Sequence, residues 1–178
     1  RNFVLARLHG EKITNMNKFR TLTTSLVSLI LVISFSSPVF ADGIKGNGNV
    51  TTEEREIAEF SGIKVNGAYT IYLSQEDDYS LKVVADENLQ KIIKTKVRNN
   101  TLYVTNDESI RSSKKMELYI GFKHLDFIKS NGAISLKSDD VLKFDEFRIE
   151  LNGASSAKLE LTANKLVVEN SGASSVSL

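Results

Sequence analysis

Apolar and polar residues alternate with a period of two through most of the chain beyond residue 42, the pattern of a half-buried β-strand. Ser80-Leu81-Lys82-Val83-Val84-Ala85 and Met116-Glu117-Leu118-Tyr119-Ile120 show it. Tyr69-Thr70-Ile71-Tyr72-Leu73 adds the β-branched and aromatic types that suit a pleated surface. Polar turns separate these runs. Gln75-Glu76-Asp77-Asp78 supplies one, the stretch 106–115 another, and Asn99-Asn100 predicts a hairpin between the strands ending at Val97 and beginning at Thr101. Helical spacing occurs once: Asp86 can cap an N-terminus, and Leu89, Ile92 and Ile93 fall at i, i+3 and i+4, so one short helix is predicted near 87–93. The Gly- and Asn-rich stretch 43–50 reads as an extended lead-in with turns.

From Phe122 onward the pattern becomes periodic. Three segments align, centred on Asn131-Gly132-Ala133, Asn152-Gly153-Ala154 and Ser171-Gly172-Ala173, with an earlier match at Asn66-Gly67-Ala68. The last three glycines are 21 and 19 residues apart. A period near 20 residues made of short strands predicts a β-solenoid, in which each coil buries its inner face only when neighbours stack on it. In that reading glycine permits positive φ or close backbone approach at a corner, and the small Ala and Ser let coils stack. The Asn or Ser ahead of it would form a hydrogen-bonded row. The alternative is a β-sandwich with glycine turns.

Ahead of the alternating region, Met16-Asn17-Lys18-Phe19-Arg20 is basic, Leu26-Val27-Ser28-Leu29-Ile30-Leu31-Val32-Ile33 is apolar, and Val39-Phe40-Ala41 ends in a cleavage signature. That order predicts a signal peptide over 16–41, with an apolar run well short of the ~20 residues a spanning helix needs. Residues 1–15 read as a leader foreign to the natural protein, and 42–178 as the exported domain. Its destination is the periplasm, the outer surface or the medium. Membrane contact would be confined to the signal peptide before cleavage.

Composition narrows the chemistry. With 41% hydrophobic and 25% charged residues the chain is of the ordinary globular class. The net charge of +1 conceals an asymmetry, because removing the first 41 residues leaves 18 basic against 21 acidic residues. Such a domain has no electrostatic reason to bind nucleic acid. The absence of cysteine excludes disulfides, thiolate catalysis and a lipoprotein anchor in this chain. Beyond residue 41 the single histidine, His124, lacks a Gly-x-Ser-x-Gly nucleophile to serve, and reads as a turn residue. No metal or cofactor is expected. The adjacent acids Asp77-Asp78, Asp107-Glu108 and Asp139-Asp140 read as solvated turn charge, although β-helix enzymes acting on polysaccharide use acidic clusters. Tyr69, Tyr72, Tyr103 and Tyr119 are the candidate binding residues, since tyrosines facing outward can stack on sugars and recur at interfaces.

Gly46-Asn47-Gly48-Asn49-Val50, Phe60-Ser61-Gly62-Ile63-Lys64-Val65-Asn66-Gly67-Ala68, Ala85-Asp86-Glu87-Asn88-Leu89, Val97-Arg98-Asn99-Asn100-Thr101-Leu102-Tyr103-Val104 and the Gly-Ala-Ser motifs stand in this order along the chain. Together they resemble the putative autotransporter adhesin, head GIN domain family. The resemblance implies an exported protein of Bacteroidetes-like bacteria, with a right-handed, single-stranded parallel β-helix of ~20-residue coils. It transfers no catalytic residues. The function expected is a non-enzymatic, adhesin-like binding module directed at a polysaccharide or a cell-surface partner. A polysaccharide-active enzyme or a ligand-free envelope protein are the alternatives. The chain ends in mid-coil at Leu178, which suggests a C-terminal truncation and an uncapped edge open to self-association.

Overall fold

In the computed structural model the described residues are 43–178, and Asp42–Leu178 forms one compact unit. The leader and signal-peptide segments, 1–15 and 16–41, lie outside the described residues. Among the described residues no helix is long and apolar enough to cross a membrane.

Among the described residues thirteen strands and one helical turn follow in order: β1 Ile44–Lys45, β2 Val50–Glu54, β3 Gly62–Gln75, β4 Ser80–Asp86, α1 Glu87–Gln90, β5 Ile93–Arg98, β6 Thr101–Asn106, β7 Ile110–Ser112, β8 Met116–Phe122, β9 Phe127–Ser138, β10 Leu142–Gly153, β11 Ser156–Lys158, β12 Leu161–Ser171 and β13 Ser175–Ser177. The alternating runs became strands, but β3 and β9 are far longer than their apolar cores suggest. Both continue through an Asn-Gly-Ala motif. The 43–50 lead-in contains β1, which pairs with β7 inside the stretch read as a loop. The helix is a single turn, because the chain re-enters a strand at Ile93. Asn99 and Asn100 both take positive φ, +48° and +54°, and turn β5 back against β6 as a two-residue hairpin.

The remaining eleven strands form one mixed sheet, with the path β12-β10-β9-β3-β8-β4-β2 and with β5, β6, β11 and β13 branching from it. β3 is its hub. Its first residues pair in parallel with β6 and its last with β8, while β9 runs parallel along nearly its whole length. β4, however, is antiparallel to both β8 and β2, and β5 is antiparallel to β6. The expected right-handed, single-stranded parallel β-helix is thereby corrected. A coil-by-coil solenoid has parallel neighbours only, whereas here the strands between Val50 and Phe122 fold back on one another through short polar turns. The β-sandwich alternative, which expects antiparallel neighbours, fits better at these strands. The glycine spacing reports strand register within the mixed sheet.

Side chains at alternate positions enclose the core. Ile63 and Val65 before the Gly67 bend, and Tyr69, Ile71 and Leu73 after it, are all buried, whereas Lys64, Thr70 and Tyr72 face outward. Phe122, Phe144 and Phe147 stack in a row with centroids 6.0 and 4.0 Å apart. Each fully buried side chain of this size contributes roughly 1.5–3 kcal/mol.

One core position is polar. Ser130 lies in register between Val65 and Leu151, is fully buried, and its hydroxyl has no hydrogen-bond partner. Ser130→Ala should therefore raise stability by about 1 kcal/mol, because a buried unsatisfied hydroxyl costs about that much or more. Urea unfolding of the two proteins side by side measures it, and a midpoint unchanged or lowered contradicts it.

Candidate functional site

The Asn-Gly-Ala motifs are brought together by register. Asn66 pairs with Asn131, Gly67 with Gly132 and Ala68 with Ala133; Asn131 and Gly132 pair in turn with Asn152 and Gly153, and Asn152 with Ser171. Ala154 donates its N–H to the Gly132 carbonyl, while Gly172 and Ala173 continue the line at the exposed end. All four glycines have positive φ, between +99° and +138°. The hydroxyl contacts of the bend come from the serines of the Gly-Ala-Ser motifs. Ser155 Oγ donates to Gly132 O at 3.2 Å, and Ser174 Oγ donates to Gly153 O at 3.0 Å. The motif is thus a backbone bend stitched across strands.

The four tyrosines are not brought together. Tyr69 is buried, and its hydroxyl donates to Asn106 Oδ1. Burial pushes its phenol far above the ordinary range, with the Asn106 contact opposing weakly. It belongs to the core and presents no surface. Tyr103 pairs with Lys64 on the part of β3 ahead of the Gly67 bend, where Lys64 Nζ lies 5.5 Å from its ring centroid.

Tyr72 and Tyr119 do meet. β3 and β8 pair them directly, and their rings stack with centroids 4.7 Å apart and planes 10° apart. The strands on either side supply lysines at the same register. Lys82 on β4 pairs with Tyr119 and sets Nζ 4.4 Å from its centroid; Lys137 on β9 pairs with Tyr72 and sets Nζ 5.5 Å from its centroid. Across four adjacent strands the outer face therefore reads Lys82, Tyr119, Tyr72, Lys137, and Lys158 on β11 extends the line. The two lysines cover the ring faces that the stack leaves open. What points outward is ring edges, hydroxyls and ammonium groups.

Beside this row, Tyr119 donates its hydroxyl to Glu117 Oε2 at 3.2 Å, and Lys115 Nζ lies at the same distance from that oxygen. Burial first, then the Glu117 charge, raises the Tyr119 phenol above its ordinary value, so it stays a neutral donor. Thr70, Ser135, Ser156 and Ser175 make a hydroxyl row alongside, with Ser156 Oγ and Ser135 Oγ 3.3 Å apart. Sequence reading found the tyrosines and missed the lysines. The alternation placed Lys82 and Lys137 on the outer face, but not opposite a particular tyrosine.

A second feature lies on the same strands ahead of the bend. A shallow groove of about 550 Å³ is lined by Lys64, Phe127, Lys129, Arg148, Glu150 and Lys165, among others. Its charges are largely spent on each other. Lys129 Nζ lies 2.5 Å from Glu150, Arg148 lies 3.0 Å from Glu169, and Lys165 lies 2.9 Å from Glu146. Lys129 holds the Glu150 carboxyl below its ordinary value, against the opposing effect of burial.

Asp77-Asp78, Asp107-Glu108 and Asp139-Asp140 are all exposed, in three separate connections, and of these Asp139 lies near enough for its charge to act on Tyr119. His124 is exposed in the β8–β9 connection, 2.7 Å from Asp126. No cluster of three or more potential metal ligands occurs among the described residues.

This fold is shared with solved bacterial proteins. A crystal structure of a putative adhesin from Bacteroides fragilis is similar with a TM-score of 0.72 and 27% identity, covering 76% of this chain and 65% of that one. A putative adhesin from Parabacteroides distasonis is similar with a TM-score of 0.70 and 26% identity, covering 76% and 58%. A putative lipid binding protein from the same species, at a TM-score of 0.59 and 20% identity over 76% and 65%, shares the fold. The chain spans less than two thirds of the length of each. No curated protein matches the chain. Residues 59–178 match the family described as putative auto-transporter adhesin, head GIN domain, and the chain belongs to that family.

Proposed function

We propose that this domain is an exported, non-enzymatic binding module of adhesin type that engages a polysaccharide or a cell-surface partner through the outer sheet face carrying Tyr72 and Tyr119. The observation that carries this reading is the solvent-facing row Lys82, Tyr119, Tyr72, Lys137, in which four strands align aromatic and cationic groups where packing needs none. The signal-peptide pattern of the sequence 16–41 and membership of the putative auto-transporter adhesin family support the setting. The exposed and separated acid pairs favour binding over turnover.

A second reading, a ligand-free structural protein of the envelope, is favoured by one feature. The grooves are shallow, and the tyrosine ring faces are already covered by lysine. The two readings separate on an array of bacterial and host polysaccharides, with retention and released fragments recorded together. Retention without fragments is the expected result. Released fragments would establish an enzyme instead, and neither retention nor fragments would favour the structural protein.

A further inference from the structure

A row that crosses the strands of a sheet is a linear site. Strands are spaced by about 4.8 Å, so Lys82 and Lys137, three strands apart, are separated by about 14 Å along the row, and Lys158 adds one more interval. No single small anion spans from Lys82 to Lys137, although Lys137 and Lys158, paired on adjacent strands, lie close enough to share one charged group. An extended polymer carrying charge at intervals can reach all three.

The chemistry of the row selects the kind of polymer. A neutral sugar binds tyrosine by laying its apolar face on a ring face, yet one face of each ring is taken by the other ring and the opposite face by a lysine. Stacking would have to displace a cation–π contact worth about 0.5–1 kcal/mol at an exposed site. The outward-facing ring edges carry the positive part of the aromatic quadrupole, which, like ammonium, favours an anion. Among the described residues, Lys82, Lys137 and Lys158 have no carboxylate within ion-pair distance, unlike Lys115, Lys129 and Lys165. Three acids lie nearby. Glu54 pairs with Lys82 across β2 and β4, Glu117 is occupied by Lys115 and the Tyr119 hydroxyl, and Asp139 adds its charge near Tyr119.

We propose that this face binds an acidic polysaccharide, with Lys82, Lys137 and Lys158 meeting its carboxylates or sulfates and the Tyr72 hydroxyl donating a hydrogen bond between them. The inference rests on the binding-module reading and names its ligand class.

The test is retention of the purified chain on immobilised polygalacturonate, on neutral dextran and on phosphatidylserine vesicles, at low and at high salt. Retention on polygalacturonate that salt abolishes is expected, because exposed ion pairs are screened within about 10 Å at 0.1 M. The double variant Lys82→Gln with Lys137→Gln should weaken it at least about tenfold, a loss of ~1.4 kcal/mol. Tyr72→Phe keeps the ring stack and should weaken it about threefold, so it reports on the site even where the lysine variant is less stable. Equal affinity of wild type and both variants overturns the proposal. So does retention on vesicles alone, which would assign the face to a membrane. Retention on dextran alone overturns it while leaving the binding module standing, and retention on none of the probes, nor on the wider array, removes both.

Discussion

Gly132→Ala should destabilise the domain by about 3 kcal/mol or more, among the largest effects of any single methyl group added to it. Two independent costs add. The backbone there has φ of +123°, which side-chain-bearing residues avoid at a cost of about 1–3 kcal/mol. A Cβ at that position would also stand 2.2 Å from the carbonyl oxygen of Gly67 on the neighbouring strand, a backbone atom that cannot swing aside. The same geometry recurs at Gly153 against Gly132 O at 2.4 Å and at Gly172 against Gly153 O at 2.6 Å. Gly48 separates the two costs. It too has positive φ, +78°, but no atom lies within 4 Å of its virtual Cβ. Gly48→Ala should lose only about 1 kcal/mol. Denaturant unfolding of both variants makes the comparison, and equal losses would mean that strand contact at the bend contributes nothing.

That glycine line also shows how far the sequence can be read. The motif spacing identified which residues share a position, and the register confirms that Gly67, Gly132 and Gly153 are neighbours. The inference from spacing to architecture went astray because a period of about 20 residues fixes only the offset between parallel neighbours, and is silent about strands inserted between them. β8 inserts itself between β3 and β4, and nothing local in Met116-Glu117-Leu118-Tyr119-Ile120 distinguishes a strand parallel to one neighbour and antiparallel to the other. Local chemistry fared better. The Asn99-Asn100 hairpin and the inward Leu81, Val83 and Ala85 follow directly from turn chemistry and alternation. The candidate site was half legible for the same reason. An outward Tyr72 is a local fact, while its stacking on Tyr119 and the flanking lysines depend on pairings between residues tens of positions apart.

Asp86 marks the other limit, because its local signal was correct and its main role is tertiary. It does sit at the N-terminus of α1, but its side chain makes no capping bond. Fully buried, its carboxylate instead accepts N–H bonds from Gly48 at 2.5 Å, Lys114 at 2.7 Å and Lys115 at 3.4 Å. It ties the segment ahead of β2 to the loop entering β8, and Gly46 is packed so closely that a Cβ there would lie 2.6 Å from the carboxyl carbon. Burial alone would raise its pKa, but the backbone N–H bonds outweigh that and hold it below the ordinary carboxylate value. Asp86→Asn should cost about 3 kcal/mol, since the amide turns a donor toward backbone donors and loses charge-assisted bonds worth about 1.5–3 kcal/mol each. The sign of the pH dependence follows from the lowered value. The stabilisation is fully present above about pH 4, the ordinary aspartate range, and is lost as pH falls through the folded-state value. Glu150, lowered by Lys129, contributes to the same acid limb, so the informative background is Glu150→Gln. In that background, adding Asp86→Asn should flatten the fall in stability below about pH 4, measured by urea unfolding across the acid range. An acid limb of undiminished slope would show that another carboxylate holds these segments together.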